Sequence, residues 1–359
     1  MVQLSGKSLQ PLKEKIKTEA YHLGFSHIGF TNPNRQLHFD IFIDWINQGH
    51  SADMGYMSRA DTVAKRKDPT LILSSCKSII SLAMPYTPSK LDNQNHNFPK
   101  IAAYAVGEDY HLIIPAQLEK LVDFIKNQVS TNEIEYRVYT DTGPILEREI
   151  AQNAGLGWIG KNSCLLIPGY GSFVFLAEIL INLPFEADNV FEKDLCGTCT
   201  RCLVSCPTSC ILPNRTIDSN RCISYLTIEN RGDIPEEMRP KIDGWVFGCD
   251  ICQQVCPWNV KFAKEPDLNF FKPSESIRNL DLTTELKLDK PEFKNKYSKS
   301  PISRAKYDGY KRNLLIAASN HYSPEMTSTI HAIMNNADNP ELRKLAAWVL
   351  KNSNISNGD

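Results

Sequence analysis

The chain has 359 residues, 42% of them hydrophobic and 23% charged, with a formal net charge of −1, an ordinary globular composition with length for two to three domains. The charge excludes a globally basic nucleic-acid binder, so any such surface must be local. The first twenty residues lack an apolar h-region, and the most apolar run, GSFVFLAEILINLPF, is cut by Glu178 and too short to span a bilayer, which excludes a signal peptide and a membrane span and gives a cytoplasmic expectation.

In chain order, Leu9, Leu12, Ile16, Ala20 and Leu23 fall on one face of a first helix. Short apolar strands are expected at 25–30 (FSHIGF), 78–84 (SIISLAM) and 136–140 (YRVYT). AYAVGEDYH gathers two tyrosines, Asp109 and His111 around Gly107, and a helix with Leu118, Leu121, Phe124 and Ile125 on one face follows it. In YTDTGPILERE, Asp141 lies between a strand and a helix, where α/β folds often place chemistry; a turn or cap aspartate is the plainer reading. PILEREIAQNAG is expected as that helix, with Pro144 in its first turn and Gly155 at its end. AGLGWIGKN is a glycine-rich turn carrying Trp158 and Lys161, and GSFVFLAEILIN reads as a buried strand.

Eleven cysteines follow a different logic. Cys196, Cys199, Cys202 and Cys206 run as C-x2-C-x2-C-x3-C-P, the bacterial ferredoxin pattern for 4Fe–4S clusters. Cys249, Cys252 and Cys256 continue it as C-x2-C-x3-C-P, with Cys222 upstream. The fourth cysteine of such a run ligates the other cluster, which gives a crossed assignment. Cluster one takes Cys196, Cys199, Cys202 and Cys256; cluster two takes Cys206, Cys222, Cys249 and Cys252. Between Cys222 and Cys249 stand 26 residues where a compact ferredoxin has two. Structural zinc would favour paired CxxC motifs or Cys/His mixtures, and no histidine lies between 112 and 320. Cys76, Cys164 and Cys210 are left over and read as buried small hydrophobes.

The C-terminal stretches KRNLLIAASN and LRKLAAWVLKN align Arg312 over Arg343, a 31-residue period consistent with HEAT-like helix pairs packed on the core. From Lys287 to Arg312, nine Lys/Arg face Asp289, Glu292 and Asp308, a local +6 that suits phosphate contacts or a plain solvated face.

Together DTGPILER, GWIGKN, the first cysteine run and GCDICQQVCPWN resemble the epoxyqueuosine reductase family over nearly the whole chain. The resemblance implies a nitroreductase-like α/β (α+β) core binding cobalamin over residues 1–190. A ferredoxin-like module with two 4Fe–4S clusters follows over 191–265, then a linker and HEAT-like α-helical region, the candidate tRNA surface, over 266–359. It implies reduction of epoxyqueuosine to queuosine at the wobble position of tRNA, the final step of queuosine synthesis, with electrons from an external donor. The aspartate of DTGP, here Asp141, becomes the proton donor, with burial against the cofactor raising its pKa. Trp158, Lys161, Leu165 and Leu176 map to the cofactor pocket, Ser224 to the surroundings of cluster two, and Arg66 in RKDP to an anchor for the cofactor's polar tail. The family's cobalamin is base-off without a protein ligand. Asp109-Tyr110-His111 begins like a cobalt-histidine motif, but Ile114 replaces its glycine, so His111 is not assigned to cobalt. A reductive dehalogenase-like enzyme or a ferredoxin-type carrier is the alternative. The first usually carries a twin-arginine signal, and the second needs neither DTGP nor a basic tail.

Overall fold

The computed structural model describes residues 9–34, 38–86, 99–129, 133–265, 270–278 and 280–353. Its strands are β1 (His27–Thr31), β2 (Ser78–Pro85), β3 (Lys100–Ile101), β4 (Tyr136–Tyr139), β5 (Trp158–Ile159), β6 (Leu165–Leu166), β7 (Val174–Ile181) and β8 (Trp245–Phe247). Four form the main sheet in the order β1-β2-β7-β4, every neighbouring pair antiparallel. All eight residues of β2 are buried, because helices cover both faces. Side chains alternate across the pleat. Ile80, Leu82, Met84, Ala177 and Ile179 pack with the apolar stripes of helices Gln10–His22 and Tyr110–Gln128. Ile79, Ala83 and Leu180 point the other way, where helix Glu147–Asn153 brings Ile150 and Ala151. Lys13 in the first helix is buried and pairs with Asp188 at 2.6 Å, while the other Asp188 oxygen accepts the Phe30 N–H at 2.9 Å. That pair ties the helix to the sheet edge.

Asp141 follows edge strand β4, which runs antiparallel to β7. One local expectation changes. The helix begins at Glu147 rather than at Pro144. Residues 141–145 stay bent, with Asp141 in the left-handed region at φ 61°. Gly143 lies flat on the Tyr139 ring, where a Cβ would come within 2.6 Å of a ring carbon, so the turn is packed before the helix starts.

The 26 residues between Cys222 and Cys249 have a structural use. They form helices Ile223–Ile228 and Arg239–Ile242 and strand β8, which pairs in parallel with β3. Ile223, Leu226, Met238 and Phe247 share one core with Leu282, Leu314, Ile330 and Val349 of the C-terminal helices. That core runs across the expected boundary at residue 265. Helix Lys306–Asn320 is its centre, with Thr327–Asn336 and Pro340–Ser353 packed as a hairpin beside it. No helix among the described residues is long and apolar enough to cross a membrane.

Candidate functional site

Cys196, Cys199, Cys202 and Cys256 line one cavity of about 150 Å³ together with Leu166 and Trp258. A cysteine of the second run thus joins three of the first, as the crossed assignment requires. A turn brings the Cys199 N–H to the Cys196 carbonyl at 3.0 Å, with Gly197 at φ 50°. Lys161 Nζ pins this turn by donating to the carbonyls of Gly197 (2.7 Å) and Cys199 (2.9 Å). Trp158 Nε1 lies 3.4 Å from Cys196 Sγ, its ring against Phe191 and Trp258. Trp158 and Lys161, expected beside the corrinoid, therefore stand at this first centre. Cys256 holds the N-cap position of helix Pro257–Phe262, beside the first-turn backbone of Trp258 and Asn259. Four convergent sulfurs fit a cubane cluster.

The second centre gathers the other four. Cys249 feels the charge of Cys206, and Cys252 those of Cys249 and Cys222. Cys222 caps helix Ile223–Ile228. The neighbouring Cys210 and then the backbone of Tyr225 and Ser224 hold its thiol below the usual value, against the effect of burial. Ser224 thus sits at this centre through its backbone. Of the leftover cysteines, Cys76 is a core residue beside Leu73 and Ile79, its thiol pushed up to about 11 by burial. Cys210 is buried as expected, with its Sγ 3.5 Å from Cys206 Sγ, whereas Cys164 is only half-buried, beside Cys252.

Asp141 is the focus of a third group. Tyr110 Oη donates to its Oδ2 at 2.8 Å, and His111 Nε2 lies 3.4 Å from the same oxygen. His111 Nδ1 is 2.8 Å from Asp109 Oδ1. The Asp141 side chain is 63% exposed, so it lies in an open recess. Crowding by the protein raises its pKa, but hydrogen bonds from His111 and Tyr110, then the charges of His111 and Arg304, outweigh this and hold it below the usual carboxylate range. The expected rise of Asp141 by burial depends on the cofactor; the protein's own groups act in the opposite direction. Burial lowers His111, yet Asp109 and Asp141 bring it up to about 9. Burial, then the charge of Asp141, pushes Glu147 up to about 8. Glu147 Oε1 accepts the Asp141 N–H at 2.5 Å. Glu178, fully buried on β7 and opposite Ser81 on β2, is pushed well up by burial and then by Glu147. Sequence reasoning missed Tyr110, Glu147 and Glu178 as site residues. The available signal was a glutamate interrupting an otherwise apolar strand.

Tyr104 links the groups. Its ring packs on Tyr110 at 6.1 Å and on Phe247 at 6.2 Å, beside the Gly248 that precedes Cys249. The second centre thus lies toward Asp141. Leu165 and Leu176 share an apolar cluster, and Thr140 Oγ1 donates to the Leu176 carbonyl at 2.8 Å. Arg66 is buried, its guanidinium 5.4 Å from the Phe42 ring, with no ion pair among the described residues. A buried guanidinium without an ion pair suits an anionic ligand group.

The basic strip is thinner than its sequence. Lys311 is buried, donating to the carbonyls of Leu286 and Leu288, and Arg312 is buried against those of Leu226, Asn230 and Gly232. Lys296 pairs with the buried Glu285. Exposed are Lys287, Lys290, Lys294, Lys299, Arg304 and Lys306, six cations against the exposed Asp289, Glu292 and Asp308, an excess of three.

Residues 66–142 match the family model described as Epoxyqueuosine reductase QueG, DUF1730, and residues 195–259 match the 4Fe-4S double cluster binding domain. An epoxyqueuosine reductase of Cyclobacterium marinum is 40% identical over 300 residues, 83% of this chain and 94% of that protein. One of Vibrio cholerae is 37% identical over 328 residues, 89% of this chain and 87% of that protein. A crystal structure of epoxyqueuosine reductase with an epoxyqueuosine-modified tRNA-Tyr stem loop superposes with a TM-score of 0.88 at 30% identity, covering 96% of this chain and 91% of that one. The Bacillus subtilis enzyme, solved with its catalytic aspartate loop swung out of the active site, gives the same four values.

Proposed function

The chain belongs to the epoxyqueuosine reductase family, and we propose on that premise that the epoxide is opened in the Asp141 recess. The chain reduces epoxyqueuosine in tRNA. One epoxide, two electrons and two protons become one alkene and one water. The observation that carries the assignment of the site is the Asp141–His111–Tyr110 group, joined through Tyr104 to the second cysteine centre.

Two 4Fe–4S clusters on the eight cysteines supply single-electron transfer, and a base-off cobalamin supplies a strongly reducing metal centre. Arg66 would hold the cofactor's anionic tail, with Leu165 and Leu176 as its apolar wall. Trp158 and Lys161 fix the Cys196–Cys199 turn at the cofactor's cluster side, and Ser224 supports Cys222. Asp141 and His111 hold one proton between them. Tyr110 orients the Asp141 carboxyl, and Asp109 orients the imidazole. As the C–O bond breaks, that pair protonates the departing oxygen; solvent supplies the second proton. The exposed cations from Lys287 to Lys306 contact the tRNA backbone, and the reaction runs in the cytoplasm with an external electron donor.

Nucleoside analysis of tRNA from a deletion strain tests the activity: epoxyqueuosine accumulates and queuosine is lost. Asp141→Asn tests the site. It keeps the size but removes the carboxylate that shares the His111 proton, so turnover falls at least about a hundredfold. Iron content and tRNA affinity stay as in the parent. Turnover within about threefold of the parent would move the acid elsewhere, with Tyr104 the next residue to test.

A further inference from the structure

Cys210 lies outside the expected ligand set. It is 4% exposed, and its sulfur lies 3.5 Å from Cys206 Sγ. The loop from Cys206 to Cys210 is built around the Cys206 sulfur. The Ser209 N–H donates to the Cys206 carbonyl at 3.1 Å, Thr208 Oγ1 lies 3.5 Å from Cys206 Sγ, and the Cys210 N–H reaches the same sulfur. Asp218 N–H donates to the Cys210 carbonyl at 2.8 Å, which anchors the far end of the loop. Cys210 is therefore held, not incidental, at a second thiol position over the same edge of the cluster-two site.

Two sulfurs in van der Waals contact cannot both bind one cubane as separate corner ligands. One must hold iron while the other stands beside it. We propose that Cys210 is the paired thiol of cluster two: it donates its S–H to the Cys206 thiolate while Cys206 holds iron, and it takes over as ligand when Cys206 is lost. The proposal rests on the two-cluster reading. As ligand, Cys210 gives up its thiol proton to solvent and forms one Fe–S bond in place of the Cys206 bond, with no change in electron count. As donor, it withdraws electron density from the Cys206 sulfur, and hydrogen bonds to cluster sulfurs are among the factors that set the potential. The reduced, more negative cluster gains more from that bond, so its presence makes cluster two easier to reduce.

The test uses the full chain purified without oxygen, with iron and sulfide analysis and low-temperature electron paramagnetic resonance. The parent is expected to hold about eight iron, from two 4Fe–4S clusters. A parent without iron would refute the two-cluster reading itself rather than this one. Cys206→Ala should still hold about eight iron, with an altered cluster-two signal, and the Cys206→Ala/Cys210→Ala double variant about four. Equal iron and identical spectra in those two variants would overturn the ligand role. Cys210→Ala alone leaves all eight assigned ligands in place, so it stays informative if the Cys206 variants do not fold. It should keep about eight iron while the cluster-two potential, read by redox titration of its signal, moves to a more negative value. An unmoved potential would overturn the donor role.

Discussion

At the residue scale, the chemistry sits in pairs rather than in single groups. His111 and Tyr110 hold Asp141 below the usual carboxylate range against the effect of burial, and Asp109 and Asp141 raise His111 against it. The folded His111 value of about 9 lies above its reference of 6.5. A group raised in this way contributes stability that is fully present below the unfolded value and is lost as pH rises through the folded one. His111→Gln should therefore lower Tm most near pH 6, and the gap to the parent should close by about pH 10. The alkaline limb of the parent's pH–rate profile near pH 9 should also change in the variant. A Tm gap that ignores pH would reduce His111 to packing. Asp141 was legible in the sequence only through its motif. Its partners Tyr110 and Glu147 were not, because sequence spacing does not say which side chains meet across a sheet edge.

At the element scale, short helices place sulfurs and long ones place surfaces. Cys222 and Cys256 each hold the N-cap position of a six-residue helix. The first helix and the strands were readable from periodicity, since they are local patterns. The antiparallel order β1-β2-β7-β4 was not, because pairing joins segments far apart in the chain. Helix Lys290–Lys296 shows the same limit for charge. Its Asp289–Glu292 capping box could be read locally, but Lys296 turns inward to Glu285. The phosphate test therefore belongs to Lys290, Lys294 and Lys299, all exposed. Changing all three to Gln should weaken tRNA binding and flatten its log–log salt dependence by about one per lost contact. Iron content should not change. A parent-like salt slope would return the strip to a solvated face.

At the scale of the whole molecule, the tail is bonded to the insert between Cys222 and Cys249. Arg312 donates to the carbonyls of Leu226 and Gly232, both at 2.6 Å, and Asn230 at 3.0 Å, while Asn313 reaches Thr227 and Val246. These carbonyls belong to the insert that begins at the Cys222-capped helix. Arg312→Ala leaves buried acceptors unpaired and should cost about 3 kcal/mol or more. It should also speed loss of iron to a chelator, with cluster two going first. A variant as stable as the parent, releasing iron no faster, would uncouple tail from cluster. The repeat alignment of Arg312 with Arg343 gave no hint of this, since Arg343 is exposed and Arg312 buried. The register of β2 against β7 also sets a timetable for synthesis. β2 ends at Pro85, and its partner begins only at Val174. At about 5–20 residues per second, the ribosome delivers that partner roughly 4–18 s later. Until then a strand destined for full burial has one open edge, a form prone to stray pairing. Cys256, the last ligand of cluster one, is made later still. Iron loading is therefore a late event, and a nascent chain that stalls before Val174 is one for chaperones rather than for the assembly machinery of the clusters.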